Sequence, residues 1–293
     1  MLYSELLDLW IEEKKLEVRG STIQNYMYCT KKWIVPALGD IQIENITRKI
    51  LQDFITEFAK HHKRNTVINL SKPLSGSLGW AEEQNLITSS PWKDIKFPKD
   101  FSEKEIKIFS QEEIEKLLKA RGYKQVKKDM IILGYRTGMR IGEVLALKWE
   151  DVNFDEGFLM VKRTLSGYRD NRPEIAEPKT RSSRRRIDLD EKTLDMLHRR
   201  YKEQETYVFS KNDGSIYSRQ AMNLPRMCRN VGIPPRSFHA LRHTHATILL
   251  SSKIHPKIVQ ERLGHSKVLT TLDTYSHLIP GMQQAVVDVF NKI

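Results

Sequence analysis

Most of this chain carries a helical period, and the stretch that departs from it, Gly157 to Leu189, fixes the fold class. There the apolar spacing shortens to two: FLMVKRT, a polar tract, then SSRRRIDL give two alternating runs separated by turn-rich sequence, the pattern of a β-hairpin. A helix-rich chain with one such hairpin is mainly α with a small β-sheet, an α+β architecture. At 293 residues it exceeds the usual size of one domain, so two are expected.

In chain order, YSELLDLWIEEKKLE places Leu6, Leu7, Trp10 and Ile11 on one stripe, and TIQNYMYCTKKWIVPAL repeats the pattern with Ile23, Tyr26 and Trp33 until Pro36 is expected to break it. RKILQDFITEFAKHH and a run from Asn65-Thr66 to Trp80-Ala81 complete four helices, enough for a small bundle over residues 1–88. Residues 89–106, rich in Ser, Pro and Lys and without a sustained period, read as a linker, and 107–293 as the second domain. That domain opens on a capping box, Ser110 with Glu113. A helix then reaches an interruption at Thr137-Gly138, after which Arg140 and Glu143 follow at i and i+3 and can share a face. An isolated pair of this kind is ordinarily a surface ion pair worth under about 1 kcal/mol. Ile141, Val144 and Leu145 around it argue for burial instead.

Charge points to the partner. Net charge is +12, with 14 Lys+Arg against 13 Asp+Glu in residues 1–100 and 35 against 24 thereafter, so the basic excess belongs to the second domain and favours a polyanion. Between Lys162 and Arg186 lie nine Lys+Arg and three Asp+Glu. A basic hairpin can be merely a guarded sheet edge, but arginine at this density suits phosphate, whose oxygens match guanidinium forks. Lys179, after Pro178, is expected near the hairpin tip. Cys29 and Cys228 stand far apart without metal-like spacing, as expected of reduced thiols in a cytosol. No apolar run reaches the length of a membrane span.

The remaining motifs carry chemistry. In SFHALRHTHAT, His239 and Arg242 lie three apart on a helix that Ser237 is placed to cap. His239 and His243 have the i, i+4 spacing of zinc ligands, but Ala240 stands where a protease-like HExxH helix needs glutamate, and no CxxC offers another site. PKIVQERLGH ends at Gly264 with His265 beyond, and LGHSKVLTTLDTYSH brings Tyr275 into a polar setting unlike that of a core tyrosine. Attack on a phosphodiester needs a nucleophile, cations for the charge growing on non-bridging oxygens and an acid for the leaving oxygen. Tyr275, two arginines, a lysine and two histidines supply these, and no acidic constellation for metal-dependent phosphoryl transfer stands out.

The order Arg140, Lys179, His239-x-x-Arg242, His265, Tyr275 resembles the tyrosine recombinase (phage integrase) family. TGMRIGEVLALKWEDV is similar to its first arginine box, EPKTRSSRRRIDL to its lysine hairpin, FHALRHTHAT to its histidine-arginine box, and LGHSKVLTTLDTYSH to the box ending in the nucleophile. The resemblance implies a helical, SAM-like core-binding domain and a tyrosine-recombinase catalytic domain with a C-terminal interaction helix. The N-terminus departs from the family pattern: many integrases carry an additional arm-binding domain, whereas this sequence starts almost directly with the core-binding helices, as expected of a short recombinase or of a truncated chain. It implies that Tyr275 forms a 3′-phosphotyrosine, that Arg140 and Arg242 hold the phosphate, that Lys179 protonates the 5′-oxygen, and that His239 assists proton transfer. The same resemblance implies that His265 donates a hydrogen bond to the phosphate, that Glu143 braces the site, and that no metal or nucleotide cofactor is needed. Arg64, Thr66, Thr180, Arg181, Arg184 and Arg185 are candidate DNA contacts. The implied partner is double-stranded DNA with inverted-repeat core sites, bound by a homotetramer joined through the C-terminal helix and monomeric in free solution, with accessory DNA-bending or directionality proteins and no membrane. The expected setting is the cytoplasm, with the protein bacterial or phage-encoded. Rivals are a type IB topoisomerase-like strand transferase, a protelomerase-like enzyme and a non-cleaving DNA-binding regulator on the same scaffold. The last predicts loss of the nucleophile or an arginine, and neither is lost.

Overall fold

The structure is a computed structural model that describes residues 1–97, 107–169, 172–177 and 181–267. Lys179, Thr180, Tyr275, the second half of the expected linker and the apolar tail from Pro280 onward lie outside the described residues. The fold is mainly α with small antiparallel sheets, as the periodicity predicts. The chain divides into two compact units, Met1–Lys104 with Gly167–Arg172, and Glu105–Ser166 with Pro173–Ile293.

In the first unit, α1 (Tyr3–Glu17), α2 (Gly20–Cys29), α3 (Val35–Leu38), α4 (Arg48–His61) and α5 (Arg64–Glu83) surround a core that includes Leu6, Leu7, Leu51, Ile55, Leu70 and Leu74. Each such side chain contributes roughly 1.5–3 kcal/mol by leaving water. The expected stripe of α1 is buried as predicted. Pro36 does not end the second helix. A single wide π-type turn, Thr30–Ile34, connects α2 to α3, and Pro36 sits in the first turn of α3, where its missing N–H costs little. The chain from residue 89 to 97 also departs from the linker expected there. Trp92, Ile95 and Phe97 pack against the first unit's core, because a segment without a helical period can still bury aromatic surface.

The second unit opens with α6 (Gln111–Lys119), capped as predicted: Ser110 Oγ accepts the Glu113 N–H at 3.2 Å and Glu113 accepts the Ser110 N–H at 2.9 Å. α7 (Gln125–Thr137) and α8 (Ile141–Leu145) follow. β1 (Val152–Asn153), β2 (Phe158–Val161) and, later in the chain, β5 (Arg185–Asp188) form an antiparallel sheet in the order β1-β2-β5. Leu159 lies opposite Ile187 and Val161 opposite Arg185. The expected hairpin partners thus pair, but the tract between them is more than a polar loop. It contains a second two-stranded sheet, β3 (Thr164–Arg169) with β4 (Arg172–Ala176). Lys179, expected near the hairpin tip, lies outside the described residues, between β4 and β5 in the sequence. α9 (Glu191–Arg200), α10 (Leu224–Asn230), α11 (His239–Ser251) and α12 (Pro256–Leu263) complete the unit. α7 packs on α11, and α12 on α11 and β5, which brings together the segments bearing Arg140, Arg242 and His265. Among the described residues no helix is long and apolar enough to cross a membrane.

Candidate active site

Two glycines let the backbone enter the site. Gly138 ends α7 in the left-handed region at φ 68°, and its N–H bonds the Gly134 carbonyl at 3.0 Å. A Cβ there would lie 2.7 Å from Leu263 and 2.9 Å from His245. Gly264 ends α12 at φ 69°, where a Cβ would meet the Ser182 carbonyl at 2.9 Å and Arg185 Cδ at 3.0 Å. Both conformation and close approach require glycine at each position.

Arg140 is the N-cap of α8 rather than its first helical residue, and Glu143 stands at N3. The carboxylate does more than form an i, i+3 ion pair. Oε1 accepts from Arg140 Nη1 at 2.8 Å and Arg185 Nη1 at 3.3 Å, while Oε2 accepts from the Arg140 backbone N–H at 3.0 Å and Arg185 Nη2 at 2.9 Å. Glu143 is 3% exposed. Burial works to raise its pKa, and the guanidinium of Arg185, followed by that of Arg140, overcomes burial and holds the carboxyl down to about 2. Buried and shared between two arginines, this pair is unlike the surface ion pair that local sequence alone would favour.

Arg242 is 1% exposed, and its guanidinium donates from Nη1 to the Gly138 carbonyl at 2.8 Å and from Nη2 to the Leu263 carbonyl at 2.7 Å. It therefore joins the end of α7 to the end of α12. His239 begins α11, one turn before His243, whose ring meets its own edge to face at 4.6 Å. Ser237 does not cap this helix through its side chain. Phe238 is the N-cap, and it is the Ser237 carbonyl that accepts the Ala240 N–H. His265 is fixed through its backbone, which accepts from Gln260 Nε2 at 2.6 Å and donates to the Gln260 carbonyl at 3.1 Å.

The histidines are held neutral. Burial, then the charges of Arg242 and Arg140, lowers His265 to about 3. Burial, then His243, Arg242 and Arg140, lowers His239 to about 4, although Glu143 pulls the other way. The His239 side chain remains open to solvent, which moderates the effect of burial. The neighbouring cations push in the same direction, so a neutral imidazole at pH 7 follows either way.

Two further residues had no sequence signal of their own. His245 donates from Nδ1 to the Tyr135 carbonyl at 3.0 Å and accepts at Nε2 from Arg262 Nε at 3.1 Å, a pairing that requires the neutral tautomer because arginine only donates. Arg262 also donates to the carbonyls of Asp188 and Arg136. Burial, then the charge of Arg262, depresses His245 to about 3. Since this lies below the ordinary value near 6.5, the unfolded chain takes up the proton first. The stability contributed by neutral His245 is present above pH 6.5 and is lost as pH falls towards 3, about 2 kcal/mol being gone at pH 5. Thermal melting should therefore drop between pH 7 and pH 5, and His245→Gln should flatten that dependence. A slope unchanged by the substitution would remove the assignment.

Of the expected DNA contacts, Arg64 is exposed at the start of α5, Thr66 is half-buried beside it, and Arg184 is exposed. Arg185 is a correction. It is 7% exposed and directed inward on β5, because alternation with Ile187 puts both on the buried face, so it does not face a DNA surface.

Sequence comparison places this chain among known proteins. Residues 107–281 match the Phage integrase family, and residues 2–59 match the phage integrase N-terminal SAM-like domain. The ICEBs1 integrase of Bacillus subtilis is 26% identical over 99% of this chain and 83% of its own length. A XerC-like tyrosine recombinase of Caldanaerobacter subterraneus is 29% identical over 88% of this chain and 72% of its own. Among solved structures, the Tn1549 transposon integrase in complex with a circular intermediate DNA superposes with a TM-score of 0.79 at 20% identity, covering 99% of both chains. A lambda integrase tetramer bound to a Holliday junction gives 0.70 at 20% identity, covering 91% of this chain and 78% of that one. The chain belongs to the phage integrase family and is a tyrosine-type site-specific recombinase.

Proposed function

We propose that the chain exchanges DNA strands for a phage or other mobile element through Tyr275. The tyrosine oxygen attacks a scissile phosphorus, its proton passing to neutral His239. The bond from phosphorus to the 5′-oxygen breaks, Lys179 supplies a proton to that oxygen, and a 3′-phosphotyrosine and a 5′-hydroxyl result. Attack by a 5′-hydroxyl from another duplex reverses the step and completes the exchange. Arg140 and Arg242 hold the non-bridging oxygens and His265 donates to them, with no metal or nucleotide cofactor. The observation that carries this reading is the convergence of Arg140, braced by Glu143, with Arg242 and the neutral imidazoles of His239 and His265 at the ends of α7, α11 and α12. A cationic site with neutral histidines can take a tyrosine proton and stabilise the phenolate, which is scarce at pH 7 from a reference pKa near 10.

The 1–88 bundle and the catalytic domain, 107–293, grip double-stranded DNA at inverted-repeat core sites, with Arg64, Thr66, Thr180, Arg181 and Arg184 as the contacts. A homotetramer assembles on DNA through the C-terminal helix from a protein that is monomeric in the cytoplasm, aided by DNA-bending or directionality proteins. The test uses a substrate whose 5′-bridging oxygen is sulfur, a leaving group that needs little protonation. Lys179→Ala should cleave that substrate almost normally and fail on ordinary DNA. Equal defects on both would remove the general-acid role.

A further inference from the structure

Arg185 has its guanidinium spent inside the protein. Nη1 and Nη2 grip the two oxygens of Glu143 at 3.3 and 2.9 Å, Nη1 also donates to the Ser183 carbonyl at 3.1 Å, and Nε donates to the Arg262 carbonyl at 2.6 Å. Four of its five N–H bonds are thereby used. These partners lie on three separate segments: Glu143 on α8 beside Arg140, Ser183 just ahead of β5, and Arg262 in the last turn of α12, three residues before His265. Gly264 lies against the same side chain, 3.0 Å from its Cδ to the position of an added Cβ.

We infer that Arg185 is a positioning residue for strand cleavage, holding Glu143, and through it Arg140, in register with the loop that carries His265. The inference rests on the recombinase chemistry above. Without Arg185, Glu143 keeps only Arg140, at one end of its carboxylate and through the backbone. A buried carboxylate with one partner removed either draws the remaining guanidinium closer or takes up a proton, and either change moves Arg140. Lysine retains the charge but cannot reproduce a two-point grip on a carboxylate together with a third bond from Nε. Among the described residues, the charged and titratable groups facing Glu143 are Arg185 from β5, Arg140 at the start of its own helix and His239 from α11.

The test measures single-turnover formation of the covalent adduct on a half-site that traps it, together with DNA affinity and thermal melting, for the full chain and for Arg185→Lys and Arg185→Met. Arg185→Lys is expected to slow cleavage by about 10- to 100-fold, the scale seen when a supporting partner behind a functional ligand is lost, while DNA affinity stays within about twofold because Arg185 offers phosphate little. Arg185→Met should in addition acquire an acid limb: its Glu143 loses the stronger of two cations, its pKa rises, and cleavage declines as pH falls from 8 to 5 where the wild type shows no such limb. Adding Glu143→Gln should abolish that limb, which separates it from titration of His239. The same double variant leaves no unpaired buried charge, so it reports even if Arg185→Met alone fails to fold. Wild-type cleavage by Arg185→Lys, a loss of affinity in step with cleavage, or a pH profile unchanged in both the single and double variants would overturn the proposal. A wild-type chain that makes no adduct would instead overturn the underlying recombination chemistry.

Discussion

Tyr275→Phe is expected to eliminate the covalent protein-DNA adduct while leaving noncovalent binding nearly intact. The substitution removes one oxygen, and with it the proposed attacking atom. Loss of a covalent nucleophile elsewhere lowers turnover on the order of 10⁶-fold, which on a trapping substrate is no detectable adduct. Affinity should survive because the basic excess of residues 101–293 supplies phosphate contacts independent of the nucleophile. Gel shift and denaturing electrophoresis on the same half-site measure the two quantities. Adducts that persist with the Phe variant would sink the assignment of Tyr275. Absence of adducts from the wild type as well would favour the non-cleaving regulator.

Much of this site was legible because its motifs are local. The Thr137-Gly138 interruption, the Arg140 and Glu143 spacing, and the stop of α12 at Gly264 each follow from a few neighbouring residues. Partnerships across the chain were not legible. Glu143 was visible to the sequence as a partner of Arg140, but its second arginine lies 42 residues away, and nothing in SSRRRIDL distinguishes Arg185 from Arg184 or Arg186 by composition. One signal was available: if Ile187 points inward on a strand, Arg185 two residues earlier points inward too. The β3 and β4 strands carry no clear period of two in the sequence, because Gly167, Pro173 and scattered charges dilute their alternation. His245 looked like one histidine among three on α11, and only packing shows that it faces Tyr135 and Arg262.

Replacing Arg140 and Arg242 in turn should give equal catalytic defects but unequal stability. Each proposed donor to the developing phosphate charge is worth roughly 3–4 kcal/mol by comparison with oxyanion holes, so either alanine variant should cleave about 10²–10³ times more slowly. The arginines differ in what else they do. Arg140 has a side chain 37% exposed, and Glu143 keeps its bidentate pair with Arg185 when Arg140 is lost, so Arg140→Ala should melt close to wild type. Arg242 is buried and satisfies the carbonyls of Gly138 and Leu263. Its removal strands both acceptors, at roughly 1–3 kcal/mol each, and opens a cavity the length of its side chain. Arg242→Ala should therefore lower the urea midpoint clearly, and its cleavage defect must be measured where the variant remains folded. Arg242→Lys restores charge with one reachable acceptor, so it should recover stability in part and cleavage less. If Arg242→Ala melted like wild type, its proposed structural bond between α7 and α12 would be wrong. If DNA affinity fell in parallel with cleavage for both variants, the two arginines would act in binding alone.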